Sequence, residues 1–232
     1  MSIENFKSLS ESFAEAKENK TDIDKRIETS DSFQIPAGET FDPDKRIEPN
    51  ASKLYLEEIF AVFEGFDEYT FEGKECFVND EFLDRKLLDF TPENWKNMTD
   101  VEKKERITDL CDYVSQKLDI KNPPEVTFIY EDSSFYGGFS GSDNKLYINE
   151  KFLDNPFELV DTIAHELRHA FQFQHALNPE TILDEMYAVN FEFYIRPEDD
   201  YMGYKSQLLE SEASAFAQQF KSELVKLSGG EV

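Results

Sequence analysis

The chain has 232 residues and a formal net charge of −26, from 50 acidic against 24 basic side chains. A surface that negative repels phosphate backbones and anionic lipids, which argues against nucleic-acid and membrane partners. Two cysteines are too few for a disulfide framework, and no apolar run approaches the roughly 18 residues of a membrane span. Residues 1–7 lack the apolar core of a signal peptide, so the expectation is a cytoplasmic protein, with export by a signal-less route left open.

Residues 1–53 are polar and acidic, punctuated by Pro36, Gly38, Pro43 and Pro49, and the string Asp-Lys-Arg-Ile-Glu occurs at 24–28 and again at 44–48. This composition buries too little apolar surface to offset about 1–2 kcal/mol of ordering entropy per residue. It predicts a largely disordered acidic tail with a short helix near 6–16. The repeat is then a solvated segment or a docking motif. The alternative is a masking segment that occupies a cleft, or an upstream thiolate at Cys76 that caps a metal. Residues 54–90 differ in character. Leu54, Leu56, Ile59, Phe60 and Phe63 fit an amphipathic helix, and Phe66, Tyr69, Phe71, Phe77, Phe82 and Leu83 need burial. They predict a small helical or mixed subdomain packed on the remaining residues, 91–232.

Thr99-x-x-Glu102 is a capping-box pattern. Val101, Ile107, Leu110, Cys111, Val114 and Leu118 follow as an amphipathic helix that stops before Asn122-Pro123-Pro124. Residues 125–131 read as a buried strand, and 134–140 with 145–149 as a hairpin around 141–144. Asn155 and Pro156 open a helix whose core face is Val160, Ile163, Ala164, Leu167, Ala170 and Phe171, and Asn178-Pro179 end it. Residues 179–203 read as aromatic and irregular. Residues 204–227 read as a final helix ending at Gly229 and Gly230, with a core stripe of Leu209, Ala213, Phe216, Ala217, Phe220 and Leu224.

All three histidines, His165, His169 and His175, lie on the helix that starts at Pro156. His165 and His169 are four residues apart, with Glu166 after the first, which makes H-E-x-x-H. Residues i and i+4 share one helix face, so the two imidazoles can bind one Zn²⁺ at roughly 2.0–2.1 Å each. Glu166 lies about 100° further round, where it reaches a metal-bound water without ligating the metal. The bland alternative is a chance motif on a surface helix. On the final helix, Glu212 sits at the edge of the core stripe, where a carboxylate is costly unless paired or metal-bound.

The 161–175 stretch resembles the active-site helix of the zincin metallopeptidases, and residues 91–228 resemble a minimal gluzincin. The resemblance implies an α+β, zincin-like metallopeptidase domain: a backing helix, a small mixed sheet with an edge hairpin, the H-E-x-x-H helix and a C-terminal ligand helix, here behind an acidic N-terminal tail. In that plan the strand before the last lies beside the cleft and pairs with an extended substrate. The matching stretch is 135–139, whose two glycines weaken a strand but admit a second backbone; a flexible hairpin arm is the plain alternative. Residues 210–217 resemble the gluzincin third-ligand helix. The resemblance carries the ligand role to Glu212, with Glu210 as runner-up.

These readings predict one Zn²⁺ held by His165, His169 and Glu212, and a peptide or protein substrate hydrolysed by a zinc-bound water that Glu166 activates. Tyr201, Tyr204 and His175 are the candidate oxyanion donors. Asp161, one turn before His165, is a candidate to orient a ligand, or a solvated residue of the early turns. A rival ligand set uses His175, ten residues after His165 as in the metzincins. Where that motif has its glycine this chain has Gln172, and in a continuous helix His175 lies about 15 Å along the axis from His165. A non-catalytic zincin-fold binding module, with the acidic tail as its working part, is the second function class.

Overall fold

In the computed structural model, which describes residues 81–230, the backbone runs through helices α1 (Glu81–Leu88), α2 (Pro92–Trp95) and α3 (Asp100–Lys117) into strands β1 (Glu125–Ile129), β2 (Gly137–Ser140) and β3 (Lys145–Asn149). A 3-10 turn (Glu150–Phe152) leads to α4 (Pro156–Leu177), followed by α5 (Ile182–Glu192), α6 (Tyr201–Ser206) and α7 (Leu208–Leu227). The described residues form an α+β arrangement, mostly helical with one three-stranded sheet. None of their helices is long and apolar enough to cross a membrane. The expectations for the 1–53 tail, its repeat, the helix at 54–63 and Cys76 lie outside the described residues.

The capping box at Thr99 forms, and α3 begins one residue later. Its face of Ile107, Leu110, Cys111 and Val114 is buried, and burial pushes the Cys111 thiol above its ordinary range. α1 brings Leu83 and Leu87 into the same core, and Phe90 stacks on Trp95 with ring centroids 4.6 Å apart. The Trp95 indole N–H donates to the Leu153 carbonyl at 2.6 Å and so ties α2 to the turn before α4.

The sheet order is β1-β3-β2, with β3 parallel to β1 and antiparallel to β2. β2 therefore lies at an edge. The predicted hairpin forms, but its first arm is shorter than expected. Asn149, fully buried, uses its amide to donate to the carbonyls of Glu131 and Phe135 and to accept from the N–H of Glu131 and Lys151. Residues 131–135 are thereby held as a loop around one side chain and do not extend the strand. β1 is half-buried rather than buried, since it too is an edge. A Cβ at Gly137 would stand 2.5 Å from the Tyr147 carbonyl oxygen, so this glycine serves the strand pairing of its own chain.

α4 is continuous over 22 residues and packs most extensively on α7. Asn155 occupies its N-cap position without a side-chain cap bond. Phe173 on α4 lies under the hairpin: it meets Phe139 and Phe191 edge-on at 5.6 and 5.7 Å, and a Cβ at Gly141 would be 2.3 Å from its ring. The stretch expected to be irregular contains α5, started by a second capping box, Thr181 with Asp184. The predicted final helix is broken at Gln207, whose backbone is extended. The buried Gln207 amide bonds both the N–H and the carbonyl of Ile195, at 3.0 and 2.9 Å, and the Asn190 side chain accepts from the Leu209 N–H at 2.9 Å. Tertiary hydrogen bonds thus set where α7 begins.

Removal of the Phe173 ring empties the contact between hairpin, α4 and α5. Phe173→Ala is expected to lower unfolding free energy by about 3–5 kcal/mol, measured by urea denaturation. A loss below about 1 kcal/mol would mean that the three elements do not depend on this ring.

Candidate metal centre

His165 and His169 project from α4 at the spacing the motif predicts. Their Nε2 atoms lie 3.0 Å apart. The third member of the group is Glu210, on the first turn of α7: its Oε2 is 3.4 Å from His165 Nε2 and its Oε1 is 3.2 Å from His169 Nε2. Among the described residues these three form the one cluster of histidine and carboxylate donors arranged to hold a metal, with all ligand atoms within 4.8 Å of one another. Zinc suits the set. Four ligands at about 2.1 Å in a tetrahedron stand about 3.4 Å from each other, close to the three spacings observed. Two imidazoles and one carboxylate also leave a fourth position for a non-protein ligand.

Glu212, the residue expected at the metal, is not in this group. It is buried on the other side of the α7 stripe, where Oε1 accepts from Arg168 Nη2 at 2.5 Å and from the Tyr187 hydroxyl at 2.9 Å, and Oε2 accepts from Gln172 Nε2 at 2.6 Å. The reason is angular. Residues 210 and 212 are about 160° apart around a helix, and the apolar stripe lies between them. When that stripe seats on α4, one glutamate meets the histidines and the other meets Arg168. Which is which depends on the rotation of α7, and Gln207 and Asn190 fix that.

Several groups surround Glu210. Tyr194 donates its hydroxyl to Glu210 Oε1 at 2.5 Å, and the Tyr204 hydroxyl also bonds this carboxylate. Burial together with the Glu210 charge pushes both phenols above their ordinary range. Burial alone would raise the Glu210 carboxyl, but the charge of His169 and the hydrogen bonds from both histidines hold it well below the usual carboxylate range. Of the proposed oxyanion donors, Tyr204 is at the site. Tyr201 is exposed, and His175 is engaged elsewhere.

Glu166 is half-buried on the same helix. Its Oε2 accepts the backbone N–H of Phe139 at 2.8 Å. That N–H points away from β3, so the edge strand spends one of its open donors on the side chain of the motif glutamate. Glu166 also raises His169 through its charge, which puts it in electrostatic reach of the cluster. Asp161 faces Lys221 at 4.0 Å, and Lys221 bonds Glu158 at 2.8 Å, which ties α4 to α7; Asp161 is also within the field of His165. His175 points its Nδ1 to Asp184 Oδ1 at 2.8 Å and packs at a tilt against Phe171, with ring centroids 4.1 Å apart. Since α4 does not turn after Gln172, the metzincin-type set is not assembled.

Three features of the site have no part in the sequence expectations: Tyr194 on Glu210, the Phe139 N–H on Glu166, and Gln172 on His169. A backbone N–H leaves no residue signature, and Tyr194 sits in a stretch read as irregular. Gln172 does leave one, since a glutamine three residues after a motif histidine lies on nearly the same helix face. No protein-family model, curated protein or solved structure matches this chain.

Glu210 beside it favours the charged form of the His169 ring. Burial opposes its charge, but the Glu210 charge and hydrogen bond outweigh that and push it up to about 9. A value raised above the ordinary 6.5 stabilises the fold fully below about pH 6.5, and the contribution is lost as pH rises through about 9. Chelator-treated protein should therefore melt at lower temperature at pH 10 than at pH 6, and His169→Ala should flatten that slope. An equal slope in the variant would remove His169 as its source.

Proposed function

We infer that the chain is a zinc-dependent peptidase of zincin-like fold, acting on peptide or protein substrates. The observation that carries this reading is the convergence of four groups: His165, His169 and Glu210 as a compact donor set, and Glu166 beside them on the same helix, held by an edge-strand N–H. The order of elements supports the same reading, with a helix (α3), a small mixed sheet, the H-E-x-x-H helix and a later helix that contributes a glutamate.

His165, His169 and Glu210 would hold a zinc ion, which would supply Lewis acidity toward water and a carbonyl. The chain's own residues then do the following. Glu166 keeps Oε2 on the Phe139 N–H and uses Oε1 to take the proton of the attacking water, which it later delivers to the leaving amine. β2 lies at the sheet edge beside Glu166, where the resemblance implies that an extended peptide pairs, but three of its four residues are buried and its Phe139 N–H is taken by Glu166. Tyr204, bonded to Glu210 and within the field of Glu166, is assigned as the donor to the developing oxyanion. Glu210 replaces Glu212 as the third protein ligand in this proposal.

Two variants test the reading. Glu166→Gln has nearly the same shape but cannot accept the proton. It should keep one zinc per chain by elemental analysis and lose about 10²–10⁴-fold in cleavage of an unstructured protein substrate. Glu210→Ala should lose the zinc. Full zinc occupancy in Glu210→Ala would sink the ligand assignment, and undiminished cleavage by Glu166→Gln would remove the proposed base.

A further inference from the structure

The residues between the two buried glutamates form a continuous chain. Glu212 accepts from Gln172, and Gln172 in turn meets His169: its Oε1 is 2.9 Å from His169 Nδ1. The orientation of the Gln172 amide is dictated by chemistry. Its nitrogen faces two groups that can only accept, Glu212 Oε2 at 2.6 Å and the Leu209 carbonyl at 3.2 Å. The NH₂ must point to them, so the oxygen must point to the imidazole. An oxygen there can only accept, and His169 Nδ1 must carry a proton. A neutral ring with its proton on Nδ1 has its lone pair on Nε2, the atom that faces Glu210 and His165.

Everything in this chain is buried. Gln172 and Tyr187 are fully enclosed, and His169, Arg168 and Glu212 nearly so. Arg168 balances the Glu212 charge, while its guanidinium packs 4.4 Å from the Phe171 ring centroid. Enclosed in this way, the amide meets its hydrogen-bonding needs with these protein groups.

We propose that Gln172, locked by Glu212, is a positioning residue that holds His169 with Nδ1 protonated and Nε2 bare toward the metal, and that Glu212 acts on the site through this link and not as a ligand. The inference rests on the zinc reading above. It gives Gln172 a specific task at the place where the rival motif has a glycine, and it explains why a carboxylate off the metal is buried within reach of α4.

The test uses the full chain with zinc itself as probe. Gln172→Met keeps the volume and removes both hydrogen-bonding ends. Zinc affinity, measured by competition with a chromophoric chelator, should fall roughly 10–100-fold, with helix content unchanged by circular dichroism. The wild-type protein supplies a second measurement that needs no variant. By nitrogen-resolved NMR, His169 should show a slowly exchanging Nδ1–H, and in Gln172→Met that proton should exchange rapidly. A wild-type protein without a protected Nδ1–H, or a variant with unchanged zinc affinity, overturns the inference. A wild-type protein that takes up no zinc overturns the metal reading instead, a result distinct from both.

Discussion

The structure turns on one packing contact, the seating of the α7 stripe against α4. Leu209, Ala213, Phe216 and Ala217 fill it, with Val160, Ile163, Ala164 and Leu167 opposite, all essentially without exposure. The stripe is flanked by two carboxylates, so helix packing cannot be completed without burying both. Removing a carboxylate from water costs several kcal/mol even after relaxation, and each glutamate is accordingly surrounded by donors. Glu212 receives Arg168, Tyr187 and Gln172; Glu210 receives Tyr194, Tyr204 and the two histidines. The first set is self-sufficient, with an arginine to balance the charge. The second has no arginine or lysine beside it among the described residues, and a divalent cation held by the two imidazoles would balance that charge.

This contrast explains which parts were legible in the sequence. α3, the β2–β3 hairpin and α4 carry their signals locally, as a capping box, a turn sequence and apolar periodicity, and they form within a few residues of the predicted bounds. The H-E-x-x-H pair is equally local, because four residues of helix fix it. The carboxylate that joins the two histidines is not. Choosing between Glu210 and Glu212 requires the rotation of α7 about its axis. That rotation depends on Gln207 bonding the Ile195 backbone and Asn190 capping Leu209, contacts across 12 and 19 residues. The helical signal runs smoothly from Tyr204 to Leu227 and gives no hint of the break. α5 escapes a sequence reading for a different reason: its Thr181–Asp184 capping box is local, but the aromatic residues around it mask the periodicity.

His175 shows the opposite case, where a simple constraint decides. Spacing alone nominates it as a ligand. A continuous helix carries it about 15 Å along the axis from His165, and α4 is continuous. Its partner Asp184 belongs to the capping box of α5, so this histidine pins the turn between α4 and α5. α5 in turn delivers Tyr187 to Glu212 and Asn190 to the start of α7. A histidine that stands apart from the His165–His169–Glu210 group thus helps to hold the elements that place Glu210 in it.

The same economy applies to Glu166. In the proposed reaction it must sit near the water and yet stay off the metal, and its place on α4 alone does not secure this, since a glutamate has three rotatable bonds. The Phe139 N–H removes that freedom for one oxygen. That N–H is fixed because β2 pairs with β3, with Phe139 opposite Leu146, and because the Phe139 ring packs edge-on against Phe173 from α4 itself. Sheet and helix therefore hold each other at two points about two turns apart along α4, one apolar and one charged. A shift of the hairpin would uncover the aromatic contact and release the carboxylate together, so in this molecule the stability of the edge strand and the orientation of the proposed base are the same structural property.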